Sequence, residues 1–62
     1  MSERQQDWYI PYVAAVVAYM RAVHSKPSEA DRIALRLFNL HLTTAQCYKV
    51  GELAREKLEQ GT

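Results

Sequence analysis

Apolar residues recur at helical spacing in two stretches of this chain, which a polar segment separates. In the first stretch the apolar row advances by steps of three and four residues: Tyr12, Val16, Tyr19 and Val23. Such steps keep side chains on one face of an α-helix. Segment 25–28 contains Pro27 and two serines, which is typical of a break. The pattern therefore predicts a short helix over about residues 8–24.

The second stretch carries a longer row with the same steps, extending over about four heptads: Ala30, Ile33, Leu37, Leu40, Thr44, Cys47, Gly51, Ala54 and Leu58. This row predicts one long helix over about residues 28–60, which Ser28 and Asp31 would begin as a capping box. Thr43 and Gln46 also spell a capping box, so a three-helix alternative breaks the chain near 42–44 and creates a helix-turn-helix. The unbroken phase favours the single long helix.

Both predicted helices carry more apolar surface than one partner helix can cover. The long helix has a second row at Leu35, Phe38 and Leu42, and the short helix has a face of alanines at positions 14, 15, 18 and 22. The sequence therefore predicts an all-α helical hairpin that forms a homodimeric four-helix bundle. The expected core and dimer contacts are Val16, Tyr19, Ile33, Leu37, Leu40, Cys47, Ala54 and Leu58.

Length and charge limit the remaining possibilities. A chain of 62 residues predicts one domain, residues 1–62, and its polar first six residues predict a flexible tail. The net charge of +1 does not indicate a polyanionic partner. The apolar stretch of the short helix falls short of the roughly 20 residues that span a bilayer. A single cysteine and no signal-peptide pattern predict a cytoplasmic protein without membrane contact.

Residues with reactive side chains do not form a recognisable catalytic pattern. Cys47 occupies a position in the apolar row, where a structural thiol is expected. His24 precedes the break and is expected to cap carbonyl groups, while His41 lies far around the helix from Cys47. The spacing of these residues also does not indicate a metal site. The sequence predicts a protein that is not an enzyme, with no cofactor, metal or small-molecule substrate.

The predicted function is that of a small protein-interaction module, which regulates a larger target protein as an inhibitor, anti-activator or adaptor. Its surface would combine an apolar and aromatic centre with a basic and polar rim. The expected protein-binding residues are Arg32, Leu35, Arg36, Phe38, Asn39, Leu42, Trp8, Tyr12 and Tyr48. The alternative is a small dimeric nucleic-acid-binding regulator, in which Arg32, Arg36 and Lys49 would contact phosphates.

Overall fold

Three α-helices and one short 3-10 turn make up the described part of the chain, residues 7–61, in a computed structural model. Helix α1 spans Ile10–Val23, α2 spans Ala30–Phe38 and α3 spans Thr44–Gln60. The 3-10 turn Pro27–Glu29 leads into α2. The all-α class is thus confirmed, whereas the predicted tail over residues 1–6 lies outside the described residues.

Helix α1 begins and ends at backbone features that the sequence partly signals. Pro11 lies in its first turn, where the missing N–H has no helical acceptor to lose. At the other end, His24 adopts a left-handed conformation with φ of 60°. The backbone N–H of Ser25 donates to the Met20 carbonyl at 2.9 Å, and that of His24 donates to the Arg21 carbonyl at 3.4 Å. These two bonds form a Schellman motif, which ends the helix.

The single long helix predicted over 28–60 is wrong, because the chain turns between Phe38 and Thr44. The alternative with a break near 42–44 describes the observed order of elements. Thr43 is extended, its Oγ1 accepts a hydrogen bond from the Gln46 N–H at 3.1 Å, and its own N–H donates to Gln46 Oε1 at 2.9 Å. This capping box satisfies two backbone groups at once and begins α3.

The start of α2 also differs from its prediction. Ser28 does not cap the helix, because the 3-10 turn carries the chain into Ala30 and no side chain caps the first turn of α2. Asp31 instead lies against Gly51 of α3. An ideal Cβ atom at Gly51 would lie 2.6 Å from the Asp31 Cα atom, so the two backbones approach more closely than any side chain would permit. Asp31 Oδ1 is buried at this contact and has no hydrogen-bond partner within residues 7–61.

All three helices contribute to one hydrophobic core, and α3 packs against both of the others. The buried side chains of this core are Val13, Val16, Val17 and Met20 of α1, Ala30, Ile33 and Ala34 of α2, and Cys47, Val50 and Ala54 of α3. Small residues predominate where α2 meets α3, which allows the close approach at Gly51. The molecule measures 35 × 25 × 15 Å. A body this thin leaves one side of each helix in solvent.

Candidate interaction surface

The outward face of α2 carries the basic and polar residues that were predicted to bind a partner. Arg32, Arg36 and Asn39 are all exposed, and Leu35 beside them is half-buried. Their spacing of three and four residues places them on one side of the helix, opposite the buried Ala30 and Ala34. The structure therefore keeps this group of residues together at the surface.

Tyr48 of α3 joins this group across a shallow recess of about 540 Å³. The recess is lined by Leu35 and Arg32 on α2, by Tyr48, and by acidic residues Glu29 and Asp31 at the start of α2. Tyr48 is half exposed, so its ring presents an apolar face and a hydroxyl group to solvent. We call the set Arg32, Leu35, Arg36, Asn39 and Tyr48 the α2 surface.

On its other side, the α2 surface borders a smaller recess of about 200 Å³. Arg32 and Arg36 line this recess together with Tyr19 and Leu37, and both of the latter are exposed. Tyr19 and Leu37, which were predicted as core or dimer contacts, therefore lie at the surface of the molecule and not in its core. Leu40, which was predicted in the same set, is 90% exposed. Leu40 is exposed because α2 ends at Phe38, so the predicted row does not continue as one helix. Whether these three residues contact a second copy stays a prediction.

The other predicted core positions lie inside the fold. Val16, Ile33, Cys47 and Ala54 are buried, and Leu58 is half-buried against them. Whether any of these residues also contacts a second subunit stays a prediction.

Four residues predicted for the binding surface instead pack against the core. The rings of Tyr12 and Phe38 meet edge to face with centroids 5.0 Å apart, and the Trp8 ring lies 6.2 Å from that of Tyr12. All three are half-buried, and so is Leu42. Their contacts hold the start of α1 to the end of α2, so this cluster stabilises the fold and exposes only its edges.

A groove between α1 and α3 was missed by the sequence analysis as a site. It encloses about 760 Å³ and is more apolar than polar. One wall is the face of α1 that carries Ile10, Ala14, Ala18 and Arg21, and the other is the α3 segment from Leu53 to Gln60. The alanine face was visible in the sequence. Its position beside α3 depends on the break at 39–43, which the favoured long helix excluded.

Charge is distributed unevenly over the three outward faces. From Ile10 through Met20, α1 has no charged residue, and its exposed side chains there are apolar, small or tyrosine. The outward face of α3 carries Glu52, Glu56 and Glu59 against Lys49, all of them exposed. The α2 surface is the basic one of the three.

The single thiol lies deep in the structure. Cys47 is fully buried, and its Sγ atom donates to the Leu42 carbonyl at 4.0 Å. Burial raises the pKa of this thiol, because the thiolate would lose its hydration. A buried thiol with a raised pKa is a poor nucleophile.

Within residues 7–61, no three His, Cys, Asp or Glu side chains are grouped so that they could hold a metal ion. No helix in that range is both long and apolar enough to cross a membrane. Comparisons with models of protein families, with curated proteins and with solved structures found no match to this chain. The geometry described above is therefore the basis for a functional proposal.

Proposed function

We propose that this chain is a non-enzymatic protein-interaction module of the cytoplasm, which regulates a larger target protein by stoichiometric binding. In this role it acts as an inhibitor, an anti-activator or an adaptor. The target docks on the α2 surface, where Leu35 and Tyr48 form the centre and the two arginines and Asn39 form the rim.

One observation carries this proposal: the fold brings Tyr48 of α3 beside Leu35 and Arg32 of α2, around one recess. Tyrosine and arginine are enriched among the residues that dominate binding energy at protein interfaces. A tyrosine contributes a large contact area and loses little conformational entropy on binding. Arg32 and Arg36 on the rim can pair with carboxylates of the target, and the exposed Glu29 beside them can pair with a basic side chain.

A second candidate function, nucleic-acid binding, gains support from the turn before α3. Two helices joined at 39–43 have the order of a helix-turn-helix, and the second helix would enter the major groove. The exposed charges favour the protein target instead. Glu52, Glu56 and Glu59 on α3 would repel phosphates, and the exposed Lys49 and Lys57 would attract them, so this helix does not present the net positive face that phosphate binding needs.

A capture experiment in nuclease-treated host lysate tests the proposal. The bait is the tagged full chain, compared with Tyr48→Ala and Arg36→Glu, which alter exposed side chains and leave the core intact. Phe38 was also predicted for the binding surface, but it is not changed in this experiment, because its ring packs on that of Tyr12. The matched control is Glu52→Arg, which changes an exposed charge outside the α2 surface.

We expect one protein to be retained in equal amounts by the wild type and Glu52→Arg, and at least tenfold less by the two variants of the α2 surface. Rebinding of the purified target should then reproduce this order, with one target bound per module. Equal retention by all baits would exclude the α2 surface. Nucleic acid recovered without nuclease, with binding that falls steeply as salt increases, would favour the second candidate.

A further inference from the structure

We propose that the groove between α1 and α3 is occupied by α1 of a second copy of this chain. The two α1 helices run antiparallel about a two-fold axis at Ala14, and Asp7 of each copy faces Arg21 of the other. This inference concerns a different face from the α2 surface, so it does not depend on the proposed function.

The first argument is the symmetry of the α1 wall. Its outward row is Asp7, Ile10, Ala14, Ala18 and Arg21, with steps of three, four, four and three residues. Counted from Ala14 in either direction, the steps are four and then three residues. A two-fold axis at that residue therefore brings every member of the row opposite another member, as an isologous interface requires.

Side-chain size is complementary in this register. Ile10, which is 54% exposed, comes opposite Ala18 of the other copy, and Ala14 comes opposite its own equivalent. A large side chain thus meets a small one at both ends of the contact. The paired alanines at the centre let the two helix backbones approach closely.

Charge is complementary in the same register. Asp7 lies in the turn before α1, with its carbonyl accepting from the Ile10 N–H at 3.1 Å, and its side chain is exposed. Arg21 is exposed in the last turn. Neither residue forms an ion pair within residues 7–61. The antiparallel arrangement gives two symmetric ion pairs at the ends of the contact between the two α1 helices, and Glu56 and Lys57 are the charged residues of the α3 wall.

Arg21 can pair with Asp7 of the second copy and still contact the end of α3 in its own chain. A Cβ atom at Gly61 would lie 3.0 Å from Arg21 Nη2, so the guanidinium group reaches the C-terminal end of α3. The negative end of the helix dipole favours a cation there. Because a guanidinium group has five N–H donors, it can face the end of α3 and still donate to a carboxylate of the other copy.

A stable dimer needs more contact area than two α1 helices provide, which indicates that the second helix lies in the groove and also contacts α3. Helix α1 has 14 residues and is about 21 Å long, so its outward half offers roughly 400 Å². A standard interface buries about 800 Å² on each partner. The α3 wall, with Leu53 and Lys57, must supply much of the difference. Contact between the two α1 helices alone would be too small.

The experiment measures self-association of the purified full chain by sedimentation equilibrium. We compare the wild type with Asp7→Arg and with Arg21→Asp, and then with an equimolar mixture of these two variants. Each variant alone places like charges at both ends of the two-fold contact. In the mixture, a heterodimer has both ion pairs restored: one keeps the wild-type signs, Arg21 opposite Asp7, and the other has them exchanged.

We expect a wild-type dimer of twice 7.2 kDa. Each variant alone should dissociate at least tenfold more readily, and the mixture should return to the wild-type affinity as heterodimers in native mass spectrometry. Glu52→Arg and Lys49→Asp are matched controls, since they make the same charge changes at exposed positions outside the groove. Circular dichroism verifies that every variant retains its helices.

Ala14→Glu provides a second test at the two-fold axis, where it places two carboxylates together, and it should abolish the dimer while preserving helicity. A wild-type chain that stays monomeric at millimolar concentration would overturn the inference. So would a mixture that associates no better than its components, or a dimer that survives Ala14→Glu.

Discussion

At Gly51 the fold leaves no room for a side chain. A methyl group there would meet the Asp31 Cα atom at 2.6 Å, and backbone atoms cannot move aside as a flexible side chain can. We expect Gly51→Ala to reduce the free energy of unfolding by about 2–3 kcal/mol, as overpacking in a filled core does. Urea denaturation followed by circular dichroism measures this loss.

The matched control for that change is Gly61→Ala at the end of α3. Its nearest neighbour would be the flexible Arg21 side chain at 3.0 Å, and its φ of −75° suits alanine. The free energy of unfolding should change by less than about 0.5 kcal/mol. Equal losses of stability in the two variants would show that the close contact between α2 and α3 is not the reason why Gly51→Ala is destabilising.

Cys47 gives stability a dependence on alkaline pH. The folded state raises the pKa of its thiol, so it holds this proton more tightly than the unfolded chain does. The associated stability is complete below the unfolded pKa of about 9.0 and is lost as pH rises through the folded pKa. We expect the free energy of unfolding to fall as the pH rises above about 9.

Urea denaturation between pH 7 and pH 10 tests this, with Cys47→Ala as the reference that cannot ionise at this position. The difference in free energy of unfolding between the two proteins should narrow as the pH rises. Parallel curves would show that the buried thiol does not contribute.

At the scale of elements, the capping box of Thr43 decides whether the chain forms two helices or three. Thr43→Ala removes the oxygen that accepts from the Gln46 N–H and should reduce the free energy of unfolding by about 1 kcal/mol. Thr44→Ala is the control, because Thr44 begins α3 with an exposed side chain that forms no hydrogen bond to any of residues 7–61. Chemical denaturation of the two variants should separate them; equal losses would contradict the capping role.

The turn before α3 also reverses the expected burial of two leucines, because Leu40 was expected among the core and dimer contacts and Leu42 on the binding surface. Leu40 is 90% exposed, whereas Leu42 packs on the core. Leu40→Asp should change the free energy of unfolding by less than about 0.5 kcal/mol. Leu42→Asp places a carboxylate against apolar side chains and should cost about 2 kcal/mol or more. Thermal unfolding of both variants checks the contrast, and the opposite order would favour a continuous helix.

The helical class and half of the buried hydrophobic positions were predictable, because each helix repeats its apolar residues at its own period. The break at 39–43 was recognised as an alternative from Thr43 and Gln46, but the apolar row crosses it in phase. Periodicity reports which face is apolar and does not report whether the backbone continues. Placing Tyr48 beside Leu35, and α1 beside α3, required tertiary contacts that no local pattern contains.

At the scale of the whole molecule, the three outward faces differ in chemistry. The exposed residues of α1 are uncharged as far as Met20, the α2 surface carries Arg32 and Arg36, and α3 carries exposed residues of both charges. The charged face of α3 can remain in solvent, and the α2 surface suits a target protein. The uncharged face is the one for which exposure to water is least favourable. A second copy would cover it without using the α2 surface.

Self-association through this face should make thermal stability depend on protein concentration, because unfolding separates the two chains. For a 62-residue chain above its dissociation constant, we expect Tm to rise by roughly 3–6 °C per tenfold increase in concentration. Calorimetry over a hundredfold range measures the slope. Ala14→Glu should have a lower Tm that does not change with concentration, because its folded monomer already contains the whole core. A wild-type Tm independent of concentration would mean that the exposed alanine face of α1 is stable in water without a partner.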